Sequence, residues 1–255
     1  MRIKYIIPFP FDDVGIANRA AQIPAALLRP DTSVECIPVR NHGGTGDGPY
    51  EMMLFDLYVT EAGIKAEEEG YDAVIMDSVS DSGLHALRSR LSIPVTGPGL
   101  VAFAVAFLLG KRFSIVTMWN KWRHLYERNL QLYDIADRCA SIRSVEIPPD
   151  VERLFEGKEE EIFAALLKEA QSAVDSDGAD MIILGSTTMH QAGEYMQAHL
   201  PCPVVNPGPV AIKLTESIVE LGLSHSKIAF PPPTTLQDEK YLAMPGPPVE
   251  TVEAV

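Results

Sequence analysis

The chain has 255 residues but only three cysteines. Its Cys and His residues are not spaced as metal ligands, and basic residues are outnumbered by acidic ones. Cys36, Cys139 and Cys202 form no CxxC pair, which argues against a disulfide framework and against a zinc site. The six histidines also lack ligand spacing, so we predict no metal. The net charge of −14 argues against nucleic acid or an anionic membrane as a partner. It does not exclude a small anionic substrate, because a few local donors outweigh a distant field.

A long apolar segment is also missing. The longest apolar run, residues 100–109, is too short to span a bilayer and predicts a buried helix. The first residues carry acidic side chains too early for a signal peptide, so we expect a cytoplasmic protein. The loop of residues 42–49 carries four glycines but no nucleotide-binding motif. It is either a mobile lid over a cleft or a flexible surface turn.

What the sequence does contain is an alternation of short apolar segments with helical patterns. The segments are rich in Ile and Val and predict eight buried strands, at residues 4–9, 33–39, 72–77, 93–97, 112–118, 142–148, 180–185 and 202–206. Helical patterns cover residues 16–28, 51–69, 100–109, 121–136, 151–174, 190–199 and 210–221. This alternation predicts an α/β fold with mainly parallel sheets flanked by helices.

The two halves of the chain repeat each other. DAVIMDSVS matches DMIILGSTT, and IPVTGPGLVAF matches CPVVNPGPVAI at nearly the same offset. The repeat predicts two pseudo-symmetric lobes, residues 1–110 and 111–222, each with a four-stranded sheet and with a ligand cleft between them. The last helix of the first lobe could pack on the other lobe.

A Pro-rich tail, residues 223–255, follows the second lobe and should be extended. It is either disordered or draped over a neighbouring subunit. An apolar stretch at residues 241–244 favours docking, and therefore a homo-oligomer, either a dimer or a tetramer.

Hydroxyl side chains follow the third strand of each repeat. Ser78 and Ser80 end the first of these strands, and Ser186, Thr187 and Thr188 end the second. In open α/β sheets the carboxyl ends of strands form the ligand site, so these groups should face the cleft. Together with free backbone N–H groups, including that of Val79, they suit a carboxylate or a similar anion. The alternative is that they only cap helices.

At these residues the sequence resembles the aspartate/glutamate/hydantoin racemase superfamily, and most closely its hydantoin racemase branch. The resemblance covers about residues 1–222 and includes matching stretches at residues 83–85, 112–114, 184–185 and 211–216. It implies two lobes with the active site between them and no cofactor. It also implies a cysteine at the end of each lobe's third strand, one thiolate removing a proton from the substrate and the other thiol returning one to the opposite face.

This sequence carries Ser78 and Ser186 where the resemblance implies those cysteines. A serine hydroxyl is far less acidic than a thiol, so the two-thiol mechanism cannot run unchanged. The Asn that is common after the family's first strand is also missing, since this chain has Pro8 and Phe9 there, and Phe9 and Phe11 would make that side of the cleft more apolar. The resemblance then implies an isomerase-like enzyme with a non-thiol mechanism, acting on a small carboxylate, hydantoin or cyclic amide. A hydrolase or lyase with an activated serine, or a non-catalytic binding protein, is the alternative.

Several side chains could assist the two serines. His190 lies four residues after Ser186, so a helix that starts at Ser186 would place both on one face. Asp81 and His85 stand in a similar relation to Ser78. Asp77, at the apolar end of a strand, is either an acid or base with a perturbed pKa or a carboxylate bonded to backbone N–H groups.

Aromatic residues crowd the start of the second half. Thr117 should come to the cleft from a strand end, and Trp119 should form part of the pocket wall. Trp122, Tyr126 and Tyr133 recur at near-helical spacing and predict a stripe in the core or at a subunit contact.

Overall fold

The computed structural model describes residues 1–148 and 162–243, with the side chain of His190 excepted. Its strands are β1 (Arg2–Ile7), β2 (Ser33–Pro38), β3 (Ala73–Met76), β4 (Val95–Thr96), β5 (Phe113–Thr117), β6 (Cys139–Ser144), β7 (Met181–Leu184) and β8 (Val204–Val205). Its α-helices are α1 (Asp13–Ala21), α2 (Pro49–Gly63), α3 (Leu84–Arg90), α4 (Pro98–Leu109), α5 (Arg123–Leu132), α6 (Phe163–Asp177), α7 (His190–His199), α8 (Pro207–Glu220) and α9 (Asp238–Leu242). No helix in the two described ranges is both long enough and apolar enough to cross a membrane.

The strands form two four-stranded sheets with the orders β2-β1-β3-β4 and β6-β5-β7-β8. All pairings within both sheets are parallel. Each predicted apolar segment contains or overlaps one strand, so the predicted α/β fold with two parallel sheets is confirmed. The central strands β3 and β7 are buried along their whole length, which explains their unbroken apolar sequences.

The last helix of each lobe packs on the sheet of the other lobe. Phe103 of α4 lies in one core cluster with Phe113 and Ile183 of the second sheet. Ile212 of α8 lies in another with Ile75 of the first sheet. The two lobes therefore share their apolar cores, and these two helices pack the lobes against each other beside the cleft.

Several element boundaries differ from the sequence patterns. Helix α1 begins at Asp13, because the Asp12 carboxylate accepts a hydrogen bond of 2.9 Å from the Gly15 N–H. It ends at Ala21, ahead of Pro24, which cannot continue a helix. Helix α3 was not predicted. Part of the predicted helix at residues 151–174 lies outside the described residues, and α6 begins at Phe163.

The described part of the tail packs on the chain's own first lobe, and it is not extended throughout, because it contains the short helix α9. Lys227 Nζ donates to the backbone oxygens of Arg88 at 2.7 Å and Ser89 at 3.2 Å, at the C-terminal end of α3. Those carbonyls have no partner within the helix, and a cation also suits the negative end of the helix dipole. Tyr241 then packs against the core of the first lobe. The rest of the apolar stretch, from residue 244, lies outside the described residues.

Candidate active site between the two lobes

A cavity lies between the lobes at the carboxyl ends of the central strands. Its empty volume is about 710 Å³, which includes the space at its open mouth. Most of the predicted site residues line it, from both lobes: Pro8, Phe9, Asp77, Ser78, Val79, Ser80, Ser186, Thr187 and Thr188. Thr117 and Trp119 do not belong to the lining.

Ser78 begins a chain of hydroxyl groups on the first-lobe side. Ser78 Oγ and Ser80 Oγ share a hydrogen bond of 2.7 Å, and Ser80 Oγ shares another of 2.9 Å with Ser82 Oγ. The Ser80 N–H also donates to Ser78 Oγ at 3.2 Å. Ser78 is the partly buried member of this chain, whereas Ser80 and Ser82 are buried.

Ser186 repeats this arrangement on the second-lobe side. Its Oγ and Thr188 Oγ1 share a hydrogen bond of 2.9 Å, and the Thr188 N–H donates to Ser186 Oγ at 3.3 Å. Thr188 is buried and Ser186 is partly buried, as in the first lobe. The duplicated sequence therefore produces two hydroxyl pairs that face one cavity from opposite lobes.

Neither serine begins a helix, so the predicted sharing of a helix face is wrong. Helix α3 starts only at Leu84, and Asp81 in the preceding loop has a φ of +54°, which ends any helical path from Ser78. The second serine also precedes its helix, since α7 starts at His190. Asp81 and His85 therefore do not share a helix face with Ser78.

Asp81 and His85 have other partners. The Asp81 carboxylate accepts hydrogen bonds from the N–H groups of Gly99 at 2.9 Å and Leu100 at 2.7 Å, at the start of α4. Burial nevertheless raises the pKa of Asp81 to about 6. His85 packs edge-on against Tyr133.

Asp77 is an ion-paired carboxylate rather than an acid or base with a proton to exchange. Arg19 Nε and Nη2 donate to its two oxygens at 2.6 and 2.8 Å, and Tyr5 Oη donates at 2.8 Å. Burial alone would raise the pKa of Asp77, but the charge of Arg19 and these hydrogen bonds hold it below its usual value. The carboxylate is thus charged at neutral pH. Its partners are side chains, not the backbone N–H groups of the alternative prediction.

Gly185 occupies the corresponding position before Ser186 in the second lobe. The Tyr126 hydroxyl donates to the Gly185 oxygen at 2.8 Å and shares a hydrogen bond of 2.7 Å with Thr117 Oγ1. An added Cβ at Gly185 would lie 2.6 Å from both Thr117 Cβ and Tyr126 Oη. Thr117 therefore supports the strand end from behind and does not reach the cavity.

One wall of the cavity is apolar. It consists of Phe9, Met52, Phe55, Trp122 and Leu125, which we call the apolar wall. Phe9 and Phe55 pack edge-to-face with ring centroids 5.7 Å apart. Trp122 comes from the aromatic stripe that the spacing assigned to the core or a subunit contact.

Trp119 stands behind the apolar wall. Its ring packs against that of Trp122 with centroids 6.3 Å apart, and it belongs to the core cluster of the second lobe. The two tryptophans thus exchange their predicted places, because the short 3-10 turn Asn120–Trp122 directs Trp122 to the cavity.

The glycine-rich loop of residues 42–49 is fastened across the cavity to the second lobe. Thr45 and Gly46 line the cavity. Trp122 Nε1 donates to the Thr45 oxygen at 2.9 Å, and Lys121 forms an ion pair of 2.9 Å with Asp47. Gly46 has a φ of +73°, a conformation that favours glycine. In this structure the loop covers part of the cleft, as a lid would.

The lining contains no cysteine among the described residues, and its ionisable side chains there are Asp77 and Tyr126. Burial raises the pKa of Cys36 to about 12 and that of Cys139 to about 11. Within the described ranges, no group of three or more His, Cys, Asp or Glu side chains is placed to bind a metal ion. Arg19 lies behind the lining and pairs with Asp77, so the negative charge of that carboxylate is compensated.

Comparisons with known proteins agree on one family. The sequence matches the family model described as Asp/Glu/Hydantoin racemase over residues 17–215, which is most of the chain. A hydantoin racemase from a Pseudomonas species is 30% identical over 228 residues, which cover 89% of this chain and 90% of that protein.

Solved structures give the same result. An allantoin racemase from Pseudomonas fluorescens superposes with a TM-score of 0.82 at 27% identity, covering 93% of this chain and 99% of the other. An allantoin racemase from Klebsiella pneumoniae gives a TM-score of 0.79 at 26% identity, covering 92% and 96%.

Proposed function

The chain belongs to the Asp/Glu/hydantoin racemase family, and on this basis we propose that it is a cofactor-independent racemase of a neutral, five-membered cyclic amide of the hydantoin type. The observation that carries this proposal is the pair of matching hydroxyl groups, Ser78 and Ser186, that face one cavity from opposite lobes. Racemisation needs a group on each face of the carbon that loses and regains its proton.

The charge of the cavity supports a cyclic amide over an amino-acid substrate. A free carboxylate would be held here by hydroxyl and backbone N–H groups alone, because the described lining has no Lys or Arg and the nearby Arg19 is already paired with Asp77. A hydantoin ring is neutral and presents carbonyl oxygens and N–H groups. The hydroxyls of Ser80 and Thr188, and the backbone N–H groups of Val79 and Thr187, are suited to hold such a ring.

The apolar wall supports an apolar substituent on the ring. Phe9, Phe55 and Trp122 present aromatic surface to the same cavity as the two hydroxyl pairs. Such surface favours an alkyl or aryl group, whereas the polar ureido group of allantoin would lose hydrogen bonds to water without replacement. We therefore expect a 5-alkyl or 5-aryl hydantoin to be preferred over allantoin.

The chemistry then runs between the two serines. One serine first loses its hydroxyl proton to a solvent hydroxide ion. The C–H bond at the ring carbon then breaks on that face, the proton passes to the serine oxygen, and the electron pair moves onto the neighbouring carbonyl oxygen. The pair returns to the ring carbon as the other serine delivers its hydroxyl proton to the opposite face, which leaves that second serine deprotonated. Because a serine hydroxyl is a much weaker acid than a thiol, turnover should be slow and should rise with pH.

A non-catalytic binding protein is the second candidate. The observation that favours it is that no described basic side chain contacts Ser78 or Ser186, whose hydroxyl partners are Ser80 and Thr188. A site of this kind could hold a cyclic amide without exchanging its proton.

Proton exchange in D2O separates the two candidates. Each enantiomer of 5-benzylhydantoin and of allantoin is incubated with the protein, and the loss of the ring C–H signal is followed by NMR beside a sample without protein. We expect deuterium uptake with inversion, faster for 5-benzylhydantoin. Ring opening would indicate a hydrolase, and binding without exchange would indicate a binding protein.

Variants of the two serines test the assignment of faces. Ser78→Ala and Ser186→Ala should each abolish exchange from one enantiomer while the other retains some exchange. Ser114→Ala is the matched control, because Ser114 shares a hydrogen bond of 2.8 Å with Ser141 and does not line the cavity. The double variant Ser78→Cys/Ser186→Cys should racemise faster than the parent at neutral pH. Full activity in both alanine variants would refute the roles of the two serines.

A further inference from the structure

Arg19 is a buried charge that no sequence pattern pointed to, and it contacts both serine loops. Only 2% of the surface of Arg19 is exposed to solvent, and Arg19 does not line the cavity. We propose that Arg19 is the positioning residue that fixes the loops of Ser78 and Ser186 relative to each other across the lobe interface. Its predicted effect on turnover rests on the proposed function, whereas its effect on the loops does not.

On the first-lobe side, Arg19 holds the strand end that leads directly into Ser78. Its Nε and Nη2 atoms donate to both oxygens of Asp77, and Tyr5 Oη donates to the same carboxylate at 2.8 Å. The Asp77 N–H in turn donates to the Ile6 oxygen at 2.8 Å, which ties this point to the sheet. Both the side chain and the backbone of Asp77 are thus held by hydrogen bonds, and this fixes the point from which the Ser78 loop starts.

On the second-lobe side, the same guanidinium reaches the residue after Ser186. Arg19 Nη2 donates to the Thr187 oxygen at 3.3 Å, and Thr187 Oγ1 donates back to the Asp77 backbone oxygen at 3.4 Å. Arg19 Nη1 is engaged separately, by Gln22 at 2.9 Å. The planar guanidinium fork makes these contacts at fixed angles, which a lysine ammonium cannot reproduce.

Helix α5 of the second lobe corresponds to α1 and contacts the Ser78 loop of the first lobe. Asn129 Nδ2 donates to the Val79 oxygen at 2.9 Å, and Arg128 Nη2 donates to the Ser80 oxygen at 3.1 Å. Val79 follows Ser78 as Thr187 follows Ser186. The first helix of each lobe thus holds the serine loop of the other lobe, and on the α1 side the holding group is a fully buried charge.

The variant Arg19→Lys removes the fork and keeps the charge. Because Arg19 does not touch the cavity, KM should stay within about twofold of the parent value. Displacement of one serine relative to the other should lower kcat by roughly 10- to 100-fold. A purely structural role would change thermal stability without this separation of kcat from KM.

Hydrogen exchange followed by mass spectrometry tests the positioning without any substrate. In Arg19→Lys, amide exchange should become faster in both segments, residues 77–83 and residues 185–189, although they belong to different lobes. The matched control is Arg143→Lys. Arg143 also donates two hydrogen bonds to one carboxylate, from Nε at 2.6 Å and from Nη2 at 3.0 Å to the oxygens of Asp177, but it does not line the cavity. That control should leave both segments and kcat unchanged.

Faster exchange confined to residues 77–83 would overturn the proposal, as would equal effects from Arg143→Lys. If Arg19→Lys does not fold, Tyr5→Phe decides, because it keeps the ion pair and removes only the hydroxyl that braces it. Tyr5→Phe should accelerate exchange in both segments to a smaller extent, and no change at residues 185–189 would reject the proposal. A parent protein without racemase activity would refute the proposed function and leave this result standing.

Discussion

The two lobes place the same hydroxyl at the same strand end but support it in different ways. Before Ser78 stands Asp77, an ionised carboxylate held by Arg19 and Tyr5. Before Ser186 stands Gly185, whose carbonyl accepts a hydrogen bond from the hydroxyl of Tyr126. One lobe buries a charged pair at this position and the other buries neutral groups only.

The difference shows that duplication preserved the position of the hydroxyl and not the interactions that hold it. A buried ion pair is costly to break, because removal of one partner leaves an uncompensated charge. A neutral hydrogen bond contributes less to the free energy of unfolding, and its removal costs less, because no uncompensated charge is left behind. The first lobe should therefore be the more sensitive of the two to substitution at this point.

The largest effect should come from Asp77→Asn, which leaves the Arg19 guanidinium buried without its counter-charge. We expect the free energy of unfolding to fall by about 3–5 kcal/mol, measured by urea denaturation at pH 7. Glu127→Gln is the control, since it breaks the exposed pair of Arg123 and Glu127, and exposed pairs contribute only about 0–1 kcal/mol. Equal losses from the two substitutions would remove the contrast between a buried and an exposed pair.

A steric effect of intermediate size is expected in the second lobe from Gly185→Ala. The new Cβ would lie 2.6 Å from Tyr126 Oη, so the hydroxyl network must move, at a cost of about 1–3 kcal/mol. Gly48→Ala is the control, because an added Cβ there meets no atom within 4 Å. A Gly185→Ala protein as stable as the control would mean that the second strand end tolerates a side chain.

The tyrosines allow a direct comparison of the two networks. Tyr5→Phe removes hydrogen bonds with the charged Asp77 and Arg19, whereas Tyr126→Phe removes hydrogen bonds with two neutral groups, the Gly185 carbonyl and the Thr117 hydroxyl. A hydrogen bond with a charged group is worth about 1.5–3 kcal/mol and one between neutral groups about 0.5–1.5 kcal/mol. The unfolding free energies of the two variants should therefore differ by about 1 kcal/mol. The reverse order would show that the charge at Asp77 does not strengthen its network.

The smallest effect is a pH dependence that only the first lobe should show. The pKa of Asp77 is lowered in the folded protein, so its stabilising contribution is complete above the unfolded value of about 3.9 and is lost as pH falls through the folded pKa. The difference in unfolding free energy between the parent and Asp77→Asn should be constant from pH 7 to about pH 5 and smaller by about 0.3 kcal/mol at pH 4. For Tyr126→Phe the difference should not vary over this range, because its partners are not ionisable there.

Much of the fold and of the site could be predicted from local patterns. Runs of Ile and Val marked the strands because both faces of a central parallel strand are buried. The repeated sequence then placed Ser78 and Ser186 at matching strand ends, and the structure brings both to one cavity. Asp77 stands out in the sequence, because a carboxylate at the apolar end of a strand needs a partner.

The partner itself could not be predicted. Arg19 is 58 residues away from Asp77 in the chain and lies in a helix whose pattern carries no sign of a buried charge. The sequence offers one indirect indication: an acidic side chain in apolar surroundings requires a basic partner somewhere in the chain, although nothing indicates which one. The exchange of Trp119 with Trp122 was not predictable either, because a short turn after β5 shifts the helical phase.

The sequence by itself determined the parallel sheets, the duplication and the hydroxyl at each strand end, because these depend on local burial and on repeats within the chain. Tertiary structure alone decided how each hydroxyl is supported, because those contacts join segments that are distant in sequence. It fastened residues 42–49 across the cleft, folded the described tail back on the first lobe, and let one buried guanidinium reach both serine loops. Hydrogen bonds of this kind depend on distances and angles between helices, which no linear pattern encodes.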